Sequence, residues 1–314
     1  MGATATTGSL YVRARPARKS ASWAGWTADG ARRYHAPATS IRAIGLALVL
    51  AGCATAGAPH REFEIRPAAD ATPRLSPGPD EAELLAAITS VMTQRLGIAL
   101  PPSTRAYVYV NQATLVDGLV RLGGHTSEAA WEQGRFAGAV ASGSGIFIRG
   151  DLLSAMPLAG RTGLLAHELA HIGQRHAARG GRSGAAQWIR EGHADWVKYQ
   201  VLDVLGLAPF GDSRDVVLRS VRQSSTSIRF FPDLEALAKN GDWVSARNRL
   251  GSAATYGQAF LAVDWLIERY GNAALLDFFA TFGGDGADGH WRAVYPIAYR
   301  QFIDEFRARL EALR

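Results

Sequence analysis

Apolar positions first recur at helical spacing through Leu84, Leu85, Ile88, Val91, Met92 and Leu96, behind Asp80 and Glu83 in a capping-box-like pair, and the run stops at Gly97. This pattern predicts the opening helix of an ordered domain. Residues 107–110 read as a strand, and 136–141 with 145–149 as a hairpin across Ser142-Gly143-Ser144. Beyond Leu164 the spacing is helical almost throughout: 164–178 stops at Gly180-Gly181, 187–205 at Gly206 and 255–270 at Gly271, and 273–282 and a last helix through Glu311 follow. A small mixed sheet followed by a mainly helical body predicts an α+β fold for residues 80–314.

Upstream the pattern changes. Residues 43–52 form an apolar run behind Arg32, Arg33 and Arg42, of signal-peptide length and too short to span a bilayer. The run ends in Leu50-Ala51-Gly52-Cys53, which resembles a bacterial lipobox. That resemblance implies a signal segment over 1–52, acylation of Cys53 and a chain anchored in the cell envelope by lipid. By the same resemblance Ala54, where Asp would imply retention at the inner membrane, implies the outer membrane, facing the periplasm. Residues 53–79 include Pro59, Pro67, Pro73, Pro77 and Pro79 and read as a tether, with a short strand around 63–66.

Charge removes one class of partner. Of 34 basic and 28 acidic residues, seven basic side chains and the single acid Asp29 fall within 1–52, which accounts for the whole net charge of +6. The remainder balances 27 against 27 and lacks the basic face that phosphate binding requires, so no nucleic-acid partner is expected. Cys53 is the sole cysteine, which excludes an intramolecular disulfide and a cysteine-rich metal site. With no GxSxG elbow either, serine and cysteine nucleophiles have no support.

The chemistry gathers in two predicted helices. His167-Glu168-Leu169-Ala170-His171 is an HExxH motif. Residues i and i+4 project from one helical face, so both imidazoles can reach one Zn²⁺, while Glu168, turned by about 100°, can stand beside the metal and take a proton from water. A catalytic zinc takes three protein ligands. Glu191, in Trp188-Ile189-Arg190-Glu191-Gly192-His193-Ala194-Asp195-Trp196, offers the third after nineteen intervening residues. Asp195, one turn further on, can accept a hydrogen bond from the non-ligating nitrogen of a metal-bound histidine. His176 and His193 project away from the metal face and are expected at the surface or behind the ligands.

These two motifs together resemble the gluzincins, zinc metallopeptidases with two histidines and a glutamate, and Glu-Gly-x-Ala is similar to the peptidase MA-like families. The resemblance implies a zincin-like fold, one Zn²⁺ per chain on His167, His171 and Glu191, and a peptide or protein substrate cut with Glu168 as general base. It also implies a sheet edge that aligns substrate, for which residues 146–149 are the best candidate, and a tyrosine that stabilises the oxyanion, for which Tyr256 stands ahead of Tyr270 and Tyr295. The alternative is a catalytically inactive zincin-fold envelope lipoprotein acting as a scaffold or polypeptide-binding protein. It would need the metal residues and not Glu168.

Overall fold

The computed structural model describes residues 60–70, 73–143, 145–179, 184–281 and 287–313. The expected signal segment and Cys53 lie outside them. In chain order the elements are β1 (His60–Glu64), α1 (Glu81–Ser90), β2 (Arg105–Tyr109), α2 (Gln112–Arg121), α3 (Ser127–Gly134), β3 (Ala139–Ser142), β4 (Gly145–Arg149), α4 (Gly150–Ala155) and α5 (Leu158–Ala177). There follow α6 (Gln187–Val204), α7 (Phe210–Arg222), α8 (Asn240–Leu250), α9 (Gln258–Ala280), α10 (Ala287–Val294) and α11 (Tyr299–Glu311). The architecture is α+β and mostly helical, as the periodicity predicts.

The sheet order is β1-β2-β4-β3, with β2 and β4 parallel and both outer pairs antiparallel. Alternation of side chains along each strand divides the core. Ala106, Val108, Ala139, Ile146 and Ile148 belong to the main core with Leu84, Leu85, Leu165 and Leu169, while Tyr109, Val140 and Phe147 pack with Leu115, Leu119 and Ala130 of α2 and α3. Because β4 is covered on both faces, it carries the unbroken apolar run Ile146-Phe147-Ile148.

Two expectations change here. The short strand placed around 63–66 runs instead over His60–Glu64 and pairs along the whole of β2, so the sheet includes part of the stretch read as a tether. Its residues are mostly exposed and show no apolar alternation, and Pro67 and Pro73 fall after it, where they interrupt no ladder. Strand β4, read as the edge that would align substrate, lies between β2 and β3, and the edge on that side is β3, with β1 at the other. The hairpin is local, but the parallel pairing that buries β4 joins distant residues.

The helical stops hold. Helix α1 is capped by Asp80, whose side chain accepts from Glu83 N at 2.9 Å. The Glu83 carboxylate turns to Ser76, accepting from its Oγ at 2.7 Å rather than closing the box. A π-helical turn, Val91–Arg95, carries α1 to Gly97. Helix α5 starts at Leu158 behind Pro157, six residues before the predicted start, and α6 follows its predicted span to within a residue. Helix α6 packs against both α5 and α9 and is buried nearly all round: Trp188, Ile189, Ala194, Trp196 and Val197 are all core residues.

Candidate metal centre

Helix α5 brings His167 and His171 to one face, and α6, lying alongside, delivers Glu191 opposite them. One ligand atom from each of the three lies within 4.8 Å of the others. The two Nε2 atoms are 3.2 Å apart, His167 Nε2 is 3.2 Å from Glu191 Oε2, and His171 Nε2 is 3.6 Å from Glu191 Oε1. The group can hold a metal ion. His171 and Glu191 are buried, and His167 is nearly so.

Each of these side chains is held from behind. Asp195 Oδ1 accepts from His167 Nδ1 at 3.0 Å, as the spacing predicts, and Lys198 Nζ donates to the same oxygen at 3.2 Å. Glu191 Oε1 accepts from Gln187 Nε2 at 2.7 Å, and Arg190 Nη1 in turn donates to Gln187 Oε1 at 3.1 Å. His171 Nδ1 donates to Gln174 Oε1 at 3.1 Å. With both Nδ1 atoms committed as donors, the two imidazoles, when neutral, present bare Nε2 lone pairs to each other and to a carboxylate. Three electron-rich atoms at such separations repel unless positive charge stands among them, as a metal ion or as a proton on His167 Nε2 shared with Glu191.

The electrostatics agree. Burial disfavours the charged form of His167, but hydrogen bonds to Asp195 and Glu191 outweigh it and raise its pKa well above the usual imidazole value. Burial likewise opposes ionisation of Glu191, and the adjacent His171 and His167 overcome it and hold its pKa low. Asp195 is kept ionised against burial by Lys198 and His167. The cluster is therefore built to receive positive charge where its lone pairs meet.

Glu168 stands apart from the three ligand atoms, as its position in the motif requires. Its Oε2 accepts from Ala141 N at 2.9 Å. At the end of β4, Arg149 N donates at 2.8 Å to the carbonyl of Gly138, just before β3, which sets the register so that Ala141 points its N–H and C=O away from β4. Arg175 Nη1 reaches that carbonyl at 3.4 Å. Two residues of α5, Glu168 and Arg175, thus bond the outward N–H and C=O of one residue of the edge strand. Strand β4 is paired on both sides and presents no such groups.

Tyr256 lies in a π-helical turn, Ala253–Gly257, ahead of α9. Its ring is centred 6.3 Å from that of His167 and meets Trp243 edge-on at 5.0 Å. Burial, with Glu191 nearby, raises its pKa and keeps the phenol a donor. Tyr270 and Tyr295 instead pack together at a tilt, with Tyr295 against Trp291, in a separate aromatic cluster.

His176 is exposed, as expected, whereas His193 is fully buried behind the ligands. Burial lowers its pKa to about 4, with an Asn272 hydrogen bond opposing. His193 thus takes the second of its two expected places, while Gln174, Gln187 and Asn272 were not singled out by the motifs. Gln174 and Gln187 stand at i+3 from His171 and i−4 from Glu191, a spacing that could have marked them; Asn272 has no local signal. Comparisons with protein-family models, with curated proteins and with solved structures gave no match.

Proposed function

We propose that this chain is a zinc-dependent peptidase of the gluzincin type, with His167, His171 and Glu191 as ligands and Glu168 as general base. The observation that carries this reading is the convergence of one donor atom each from His167, His171 and Glu191, on two packed helices, within 4.8 Å of one another. Tetrahedral zinc at 2.0–2.1 Å from its ligands requires separations of about 3.3 Å between ligand atoms. The observed 3.2, 3.2 and 3.6 Å fit that demand, and two imidazoles with one carboxylate form the donor set of catalytic zinc.

Zinc bound there would polarise a scissile carbonyl and make a water acidic. Glu168, anchored through Oε2 by Ala141 N–H, has its other oxygen available to accept the water proton and to pass it to the leaving amine nitrogen. Tyr256, protonated and beside His167, donates to the oxygen that gains charge. Asp195 and Gln174 keep the imidazoles from turning.

The experiment pairs metal analysis with hydrolysis. Purified protein should hold about one zinc per chain, and His167→Ala should lose it. Glu168→Gln should keep the metal and lose hydrolysis of a peptide library by at least about 100-fold. Full hydrolysis by Glu168→Gln would remove Glu168 as the base, whereas a zinc-loaded wild type that cuts nothing, with equal cellular function in Glu168→Gln, would overturn the peptidase reading and leave the scaffold alternative. For the cell, the proposal is a lipid-anchored envelope protein in the outer membrane, facing the periplasm. No helix among the described residues is long and apolar enough to cross a membrane. Cys53→Ser should release the chain from the membrane fraction and leave the precursor uncut, and unchanged acylation would remove the anchor from the proposal.

A further inference from the structure

Behind His171 runs a chain of hydrogen bonds in which every donor can be assigned. Arg190 O can only accept, and Gln174 Nε2 lies 2.9 Å from it. The amide is thereby oriented, and its Oε1 faces His171 Nδ1, which must carry the ring proton. The same Nε2 lies 3.1 Å from His193 Nδ1, so that nitrogen is bare. The His193 proton then sits on Nε2, 3.2 Å from Asn272 Oδ1. Asn272 is oriented in turn by Leu96 O, which accepts from its Nδ2 at 2.9 Å. Two backbone carbonyls, one at each end, leave no alternative for the groups between them.

We propose that Gln174, His193 and Asn272 form a positioning relay that locks His171 in the tautomer with its proton on Nδ1 and its Nε2 lone pair turned to the metal. The backing of the two ligand histidines is unequal. His167 leans on a carboxylate, whereas His171 leans on neutral groups that are themselves buried, Gln174 at 1% exposure and His193 at 0%. Such an arrangement brings no second negative charge behind His171 and depends instead on the whole row being complete, since one missing member leaves a buried donor or acceptor unmatched. The row also spans the fold. Asn272 directly follows Gly271, where α9 breaks with φ 82° and ψ 156°, and Leu96 closes the π-helical turn after α1. The aim of one ligand on α5 is thus tied to α6, to the α9 break and to the end of the first helix.

The inference rests on the metal-binding reading and is independent of peptide hydrolysis. The test uses the full metal-free chain labelled with nitrogen-15 on histidine, followed by zinc titration against a competing chelator. At mildly alkaline pH, the wild-type spectrum should show His171 protonated on Nδ1 and His193 on Nε2. Gln174→Leu and His193→Leu should each weaken zinc binding by about 10- to 100-fold, while Gln174→Glu, which keeps an acceptor for His171 Nδ1–H but loses the donors to Arg190 O and His193 Nδ1, should recover only part of the loss. Circular dichroism of each metal-free variant separates this effect from failure to fold. An Nε2-protonated His171 in the wild type would overturn the relay, whatever the variants do. So would folded Gln174→Leu and His193→Leu variants that bind zinc within twofold of wild type. A wild type that shows these tautomers but takes up no zinc would overturn the metal reading, and with it the claim that the relay serves a ligand.

Discussion

His167, His171 and Glu191 each lean on a different neighbour: a carboxylate, an amide oxygen and an amide N–H. The charged neighbour carries the sharpest expectation at this scale. Asp195→Ala should weaken zinc binding by about 10- to 100-fold, and Asp195→Asn, which keeps an acceptor without the charge, by less; chelator competition reads both. Unaltered affinity in Asp195→Ala would show that His167 needs no support from behind. His167, His171, Glu191 and Asp195 were legible in the sequence because helical spacing alone puts the members of each pair on one face. Gln174 and Gln187 obey the same spacing, but glutamine is an ordinary helix-surface residue and carries no signature of its own. His193 does point away from Glu191, as its position dictates. What lies on that side, Gln174 and Asn272, is decided by packing between helices.

Among the elements, α6 is the one on which the site depends, because it must come close to both α5 and α9. Gly192 permits the second approach: a Cβ there would lie 2.3 Å from Ala259 O, which belongs to a backbone that cannot swing aside. Gly192→Ala should therefore destabilise the fold by about 1–3 kcal/mol, measured by urea unfolding, and weaken zinc binding by moving Glu191 and Asp195 together. Wild-type stability in that variant would mean that α6 and α9 can part without cost. Gly271 acts on the other side of the same contact. With φ 82° and ψ 156° it occupies backbone space open almost only to glycine, so Gly271→Ala should cost about 1–3 kcal/mol in the same assay. Equal midpoints would show that the break relaxes around a side chain. Gly271 was legible as a helix stop, and the β3–β4 hairpin was legible from its turn. The exposed edge was not, since the parallel bond between β2 and β4 joins residues whose local patterns say nothing of each other.

For the molecule as a whole, the proposed metal should act as a clamp between α5 and α6, because the folded chain assembles the ligand set and the unfolded chain does not. Zinc at a thousand times its dissociation constant would add about 4 kcal/mol of stability. A strong chelator should lower the melting temperature and restored zinc should raise it again, the shift growing with zinc concentration. A melting curve indifferent to both would remove the clamp. Sequence by itself determined the mainly helical character after Leu164, the helix stops at Gly206 and Gly271, the α+β class, and the two helices that carry His167, Glu168, His171, Glu191 and Asp195, since all of these follow from periods of two and 3.6 residues and from local stop signals. Tertiary structure alone decided that the two helices lie with their ligand faces together, that β3 rather than β4 forms the edge beside Glu168, that β1 completes the sheet, and that His193 and Asn272 stand behind His171. The reason is the same in each case: these contacts join residues far apart in the chain, and their free energy comes from surfaces that no local pattern contains.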